Sequence, residues 1–168
     1  MKRIFALVLA AAMIGALLCA CGGGKTGSTV KTTVSSKYDD GYAASYASST
    51  SKDENGDTVY EFSNDQYESY LQNHKNTLGG DIQSDIASQH DEAYGEFAYI
   101  SEEKQAVIIG VHTEQYDEET AKTESASAAE YGFKYFQNLE TPVSSIKVIY
   151  CDANDQNTVF GTFEYTAE

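Results

Sequence analysis

Several residue types are scarce in this 168-residue chain, and each shortage excludes a class of protein. There is no tryptophan, one proline and one arginine, and 26 acidic residues face 11 basic ones. The formal charge of −15 excludes an ordinary nucleic-acid binder, which needs cations to displace the counterions of phosphates. Three cysteines are too few for a disulfide-dense scaffold. Since 41% of the residues are apolar, we expect a conventional packed core. Because the charge is negative, we expect no nucleic-acid partner.

The N-terminus has the composition of an export signal. Lys2 and Arg3 precede an apolar stretch over residues 4–18, which is short for a membrane-spanning helix. The sequence Leu18-Cys19-Ala20-Cys21 then resembles the lipobox of bacterial lipoproteins, with a small residue directly before the cysteine that is modified. Cys19 fits that pattern less well because Leu18 would stand at the position of the small residue.

The resemblance covers residues 1–21 and implies a signal peptide over residues 1–20, with a lipid attached to the Cys21 sulfur. More than one acyl chain suffices for stable anchoring, so we expect an extracytoplasmic protein on the bacterial cell membrane. An ordinary secretory signal and a retained anchor are the alternatives. Loss of Lys2 and Arg3 with the signal would lower the formal charge from −15 to −17.

Glycine, serine and threonine dominate the residues after Cys21, which favours a flexible tether over residues 21–36. The folded domain is then expected over residues 37–168. Asn55-Gly56 is a turn signal before an alternating strand at residues 58–62, whose partner is expected within residues 42–51.

Two helices are expected, each followed by a hairpin. Ser63 and Gln66 form a capping box, which starts a helix that we expect Gly79-Gly80 to end. Residues 81–88 are expected to form another turn or two of helix and to bury Ile82 and Ile86. Strands are expected at residues 96–101 and 104–113, and the apolar character of the second one predicts a central strand. A helix is expected over residues 117–139, and the small residues on its buried face predict that it lies close to a sheet. Strands at residues 145–151 and 158–166 complete the chain.

This order predicts the α+β class. We expect an antiparallel sheet of about four to six strands, with two helices on one face, in the order (β-hairpin)-α-β-β-α-β-β. The similar lengths of residues 64–113 and 117–166 suggest an internal α-β-β duplication.

No motif for a cofactor or for catalysis stands out in the sequence, and we expect no cofactor. His74 falls on the apolar helix face and is predicted to be a core residue, whereas His90 and His112 lie near acidic residues without the spacing of metal ligands. Cys151 is expected to be a buried apolar residue rather than a nucleophile. The acidic loops at residues 53–57 and 152–155 favour solvated turns over calcium sites.

Tyrosine is abundant, with 13 residues, and some of these rings are expected to face outwards unless they fill a partly wet core. Tyr38, Tyr42 and Tyr46 precede the main pattern and are the predicted partner-binding aromatics. The expected function is non-catalytic binding of a protein or glycan partner at the cell envelope. The alternatives are an envelope hydrolase with paired carboxylates and a structural component that acts by oligomerisation.

Overall fold

The computed structural model describes residues 28–89 and 95–167. The export signal, Cys19, Cys21 and His90 lie outside the described residues. The elements, in chain order, are β1 (Thr29–Val34), a short 3-10 helix (Tyr42–Ser45), β2 (Ser49–Lys52), β3 (Thr58–Ser63), α1 (Asn64–Ser88), β4 (Phe97–Ser101), β5 (Ala106–Val111), α2 (Glu118–Phe136), β6 (Ser145–Asp152) and β7 (Val159–Thr166). The predicted α+β class and the order of helices and hairpins are confirmed.

The described strands form two sheets, which differs from the single antiparallel sheet that we expected. The smaller sheet has the order β1-β3-β2 and is antiparallel. The larger sheet has the order β4-β5-β6-β7, and its two inner strands, β5 and β6, run parallel. This parallel pair follows from the connection, because helix α2 carries the chain from the end of β5 back to the start of β6.

Strand β1 occupies part of the segment that we expected to be a flexible tether. Its residues pair with β3 from Thr29 opposite Ser63 to Val34 opposite Thr58. The tether prediction is therefore wrong for residues 29–34, and the folded domain begins before residue 37. Threonine and valine are β-branched and favour strands, and every second residue of β1 is buried.

Helix α1 begins as predicted and passes through the glycines that we expected to end it. Ser63 Oγ accepts a hydrogen bond from the Gln66 amide, and the Gln66 side chain accepts one from the Ser63 amide. Beyond Gly79, Ile82 and Ile86 continue the buried face. A Cβ on Gly79 would lie 3.2 Å from the Ala98 carbonyl oxygen, so the glycine lets the helix approach β4 closely.

Both helices cover the same face of the larger sheet. Residues of α1, α2, β5 and β6 share one hydrophobic core, and β5 is buried along its whole length, as expected for a central strand. Gly132 of α2 brings this helix close to the sheet, because a Cβ there would meet the side chains of Val107 and Ile146. The close packing expected from the small residues of this helix is confirmed.

The strand directions argue against an internal duplication. Helix α1 leads into β4 at the edge of the sheet, whereas α2 leads into the inner strand β6. Strand β4 is antiparallel to β5, and β5 is parallel to β6, so β4 and β6 run in opposite directions. A rotation that reverses the strand direction and keeps both helices on one face also reverses the lateral order of the strands, whereas β4-β5 and β6-β7 follow each other in the same lateral order.

Candidate functional site

The three tyrosines that we predicted for partner binding pack against the protein instead of facing solvent. Tyr38 is 7% exposed, and its ring centroid lies 5.5 Å from that of Phe133. Tyr42 and Tyr46 are half-buried and lie against the aromatic core of the smaller sheet. The prediction of exposed rings is wrong because the segment between β1 and β2 folds back across α1.

A buried histidine fastens this segment to α1. His74 is fully buried, its Nε2 lies 2.9 Å from Asp40 Oδ2, and its Nδ1 lies 3.1 Å from the Tyr70 hydroxyl. The Tyr42 ring stacks on the imidazole, with 4.9 Å between centroids. The position of His74 confirms the predicted core residue, because the side chain is buried and both ring nitrogens have protein partners.

Asp40 is charged in this arrangement. Burial opposes its ionisation, but the hydrogen bonds from His74 and from the Tyr42 amide hold the pKa of Asp40 below its usual value. The neighbouring Asp39 accepts hydrogen bonds from the Tyr60 hydroxyl, at 2.7 Å, and from the Gly41 amide. The two adjacent carboxylates therefore hold the segment in place, and this structural role explains their positions without a bound ligand.

An open groove with a cavity volume of about 680 Å³ lies between α1 and the edge strand β4. Its strand side is formed by residues 98–103. Its helix side follows the helical repeat, which brings these residues to one face of α1: Lys75, Asn76, Gly79, Gly80 and Gln83. A Cβ on Gly80 would meet no atom within 4 Å, so this position leaves the groove open.

A fixed ion pair stands at one end of the α1–β4 groove. Glu102 Oε1 accepts hydrogen bonds from the Tyr135 hydroxyl at 2.7 Å and from Lys75 Nζ at 3.0 Å. These two donors lower the pKa of the Glu102 carboxyl. Because Tyr135 is buried in the core, its hydrogen bond holds the Glu102 carboxylate in place, and Lys75 offsets the charge of that carboxylate.

The rest of the groove is lined by polar side chains, by the two glycines and by Ala98, Tyr99 and Ile100. The Gln83 side-chain amide donates to the Glu96 carbonyl at 2.9 Å, and this bond ties the helix to the start of β4. Tyr99 meets the helix side through its backbone, at Gly79. Its ring, which is 37% exposed, lies beside Phe97 on the face of the sheet away from the helices, and its hydroxyl donates to Gln156 at 3.1 Å. The groove therefore combines hydrogen-bonding groups with a fixed ion pair.

The charge state of Glu102 bears on the hydrolase alternative. A pair of catalytic carboxylates needs one member whose pKa is raised, so that it holds a proton for the leaving group. Glu102 and Glu103 both line the groove, but the shift of the Glu102 pKa is downwards. This carboxylate suits the binding of a ligand better than the donation of a proton.

The remaining candidate residues have partners within the fold. Asp53 and Asp152 accept hydrogen bonds from backbone amides of their own loops, as expected for turns. His112 Nε2 lies 2.9 Å from Glu96 Oε1. In the part of the chain that the structure describes, no three histidine, cysteine or acidic residues are grouped so that they could hold a metal ion.

Cys151 is 1% exposed, in agreement with its predicted burial. Its thiol donates to the Ile109 carbonyl across 3.7 Å, and burial raises its pKa. A thiol with a raised pKa is a poor nucleophile because it holds its proton.

The fold and groove together define a two-sheet α+β domain with an open, polar groove at the edge of its larger sheet. Comparison of the chain with family models, with curated proteins and with solved structures finds no match. Neither described helix is long and apolar enough to cross a membrane.

Proposed function

We propose that the protein is a lipid-anchored, extracytoplasmic binding domain that engages a partner in the α1–β4 groove without catalysis. The α1–β4 groove itself is the observation that carries this proposal. Its open helix side at Gly80, its polar side chains and its fixed Glu102 carboxylate supply shape and polarity in one place. The lipobox at Cys21 supports the location.

The anchoring is tested by Cys21→Ser, which removes the sulfur that would carry the lipid. We expect this variant to leave the membrane fraction, whereas Cys19→Ser should remain membrane-bound. Fractionation followed by intact-mass measurement distinguishes the two variants. A Cys21→Ser protein that stays in the membrane with the mass of the unmodified sequence would contradict the anchoring proposal.

The groove is tested by two substitutions at one position. Gly80→Gln places a long side chain in the open space, whereas Gly80→Ala adds a single methyl group there. We expect the lipidated wild type and the lipidated Gly80→Ala variant to capture the partner from their own membrane. The Gly80→Gln variant should not capture it. Equal capture by all three proteins would show that the partner binds elsewhere.

A further inference from the structure

Strand β7 forms the edge of the larger sheet that lies opposite β4, and among the described strands only β6 pairs with it. Directly after β7, the Ala167 amide donates to the Ser144 carbonyl on the β6 side at 2.9 Å. Because backbone groups alternate along a strand, those of Thr162, Glu164 and Thr166 point away from β6. These three residues are exposed, and no described residue bonds to their outward backbone groups. The β7 edge therefore presents free donors and acceptors.

A small apolar cleft, the β7 cleft, lies beside this edge on the helix side of the sheet. It has a cavity volume of about 200 Å³ and is bounded by β7 and α2. Its apolar walls include Ala129, Phe133 and Tyr165. Lys37 and Glu130 line it with opposite formal charges. The β7 cleft therefore suits one apolar side chain of an incoming segment.

The alternation of side chains along β7 determines what an added strand would contact. Tyr165 faces the helices, where its hydroxyl lies 2.6 Å from Ser125 Oγ of α2. Successive side chains point to opposite faces of a sheet, so Glu164 faces the other side. A residue placed opposite Tyr165 directs its side chain towards the β7 cleft, and the neighbouring residue lies beside the Glu164 carboxylate.

Glu164 indicates the sign of the charge that the added strand carries. Lys147 stands opposite Glu164 in the register, yet no ion pair joins Glu164 to another described residue. The whole chain has a formal charge of −15. Opposite charges directly across a strand pair stabilise it, whereas like charges destabilise it. A lysine or arginine opposite Glu164 is therefore favoured by this carboxylate and by the whole molecule.

A second copy of the chain fits the β7 edge poorly. The sequence of β7, Val-Phe-Gly-Thr-Phe-Glu-Tyr-Thr, contains no lysine or arginine. Two paired β7 strands would therefore place no cation opposite Glu164. The two molecules would also repel each other through their equal negative charges.

We propose that β7 is a second binding site, which adds an extended segment of a cationic protein to the larger sheet. A lysine or arginine of this segment lies opposite Glu164, and an adjacent residue inserts an apolar side chain into the β7 cleft. Main-chain hydrogen bonds supply affinity, and these two side chains supply selectivity. The site lies at the opposite edge of the sheet from the α1–β4 groove, so it does not depend on the function proposed above.

The test uses the full-length lipidated protein in detergent micelles and a labelled, blocked peptide, Thr-Leu-Lys-Leu-Thr. Its sequence is palindromic, so either strand direction places the lysine opposite Glu164 and a leucine beside the β7 cleft. Fluorescence anisotropy follows binding, and amide exchange with and without the peptide locates it. We expect saturable binding with slower exchange of the Thr162, Glu164 and Thr166 amides. The absence of saturable binding would overturn the inference.

Two N-methylated peptides test the main-chain hydrogen bonds. One is methylated on both leucine amides, and the other on the lysine amide and the last threonine amide. Alternate amides of a strand face the same side, so only one of these sets can bond to β7. We expect one peptide to lose binding and the other to retain it. Equal affinities of the two peptides would contradict strand addition.

Two charge variants of the protein provide a matched control. Glu164→Lys reverses the charge at the β7 edge, and Glu54→Lys makes the same change in the exposed turn between β2 and β3. We expect Glu164→Lys to weaken peptide binding by about tenfold and Glu54→Lys to change it little. The peptide Thr-Leu-Glu-Leu-Thr should bind Glu164→Lys better than wild type. Equal effects of the two variants would show attraction by the charge of the whole molecule alone.

Two further outcomes would assign the peptide or the edge differently. Gly80→Gln alters the α1–β4 groove and should leave peptide binding unchanged, so a loss of binding would place the peptide in that groove. A dimer in sedimentation that the peptide dissociates would identify a second copy as the occupant of β7. Either result overturns this inference, whereas the proposed function is decided separately by partner capture.

Discussion

Gly79 and Gly80 are neighbours within one helix turn, yet the structure uses them differently. Gly79 is buried against the backbone of β4, so its missing side chain permits the contact between helix and strand. Gly80 is exposed beside open space, and nothing in the packing requires a glycine there. Glycine in the interior of a helix costs about 0.5–1 kcal/mol relative to alanine. The missing side chain at Gly80 keeps the groove open.

Substitution by alanine should therefore have opposite effects on the free energy of unfolding at these two positions. We expect Gly80→Ala to raise the free energy of unfolding by about 0.5–1 kcal/mol, because the methyl group meets no neighbour and favours the helix. Gly79→Ala should lower the free energy of unfolding, since its Cβ would press on the Ala98 carbonyl at 3.2 Å. Urea unfolding measures both, and an equal gain from the two substitutions would refute the close approach of α1 to β4.

The pair of Asp40 and His74 gives the protein a specific response to acid. The pKa of Asp40 is lower in the folded chain than its usual value, so its charge contributes stability at neutral pH. That contribution begins to disappear below the unfolded-state pKa of about 3.9 and is lost as the pH falls through the folded-state value.

Asp40→Asn should therefore reduce the loss of unfolding free energy at acid pH. We expect the wild type to lose more unfolding free energy than the variant between about pH 7 and about pH 3, because asparagine has no charge to lose. Asp81→Asn, an exposed substitution on α1, serves as the control and should retain the slope of the wild type. Identical slopes for wild type and Asp40→Asn would show that this carboxylate does not stabilise the fold.

At the scale of elements, local signals in the sequence located most helices and strands. The capping box at Ser63, the turn at Asn55-Gly56 and the apolar run of β5 all act within a few residues, so the sequence alone reveals them. The predicted end of α1 was wrong because the low helix propensity of glycine is a weak local preference, which packing on β4 overrides. The continued spacing of Leu78, Ile82 and Ile86 was the signal for a longer helix.

Strand pairing and the groove depended on contacts that are distant in sequence. Nothing local in residues 29–34 shows that β3 will pair with them, although their threonines and valines favour a strand. The groove joins Lys75 of α1 to Glu102 after β4, which are 27 residues apart. Neither side of such a site carries a motif, so the sequence pointed instead to three tyrosines that complete the core.

The contribution of β1 is tested by truncation. A chain that begins at Ser28 retains β1, whereas a chain that begins at Lys37 loses Val30 and Val34, which are 8% and 0% exposed. Full burial of a valine is worth about 1.5–3 kcal/mol, so the shorter chain should lose at least about 3 kcal/mol of unfolding free energy. Equal urea midpoints for the two chains would restore the tether interpretation of residues 29–34.

For the whole molecule, the dominant property is its negative charge. Without residues 1–20, which hold two cations and no acid, the formal charge becomes −17, and the self-repulsion of such a chain opposes its compact state. Salt weakens that repulsion. The charge also favours a basic partner over an acidic one.

Salt should therefore stabilise the protein in a manner that depends on pH. Raising sodium chloride from about 0.02 M to about 0.5 M should increase the urea midpoint at neutral pH. The increase should be smaller at pH 4.4, the isoelectric point given by the sequence, where little net charge remains. Equal increases at both pH values would assign the salt effect to something other than self-repulsion.

The central claim is that the partner binds between α1 and β4, and photo-crosslinking in the native membrane tests it most directly. A photoreactive side chain at position 76 lies on the exposed helix side of the groove and leaves Gly80 unchanged, and the same side chain at position 54 lies in the exposed turn between β2 and β3. We predict an adduct with one partner from position 76 and none from position 54. The absence of an adduct at position 76, or the same adduct from both positions, would contradict the account.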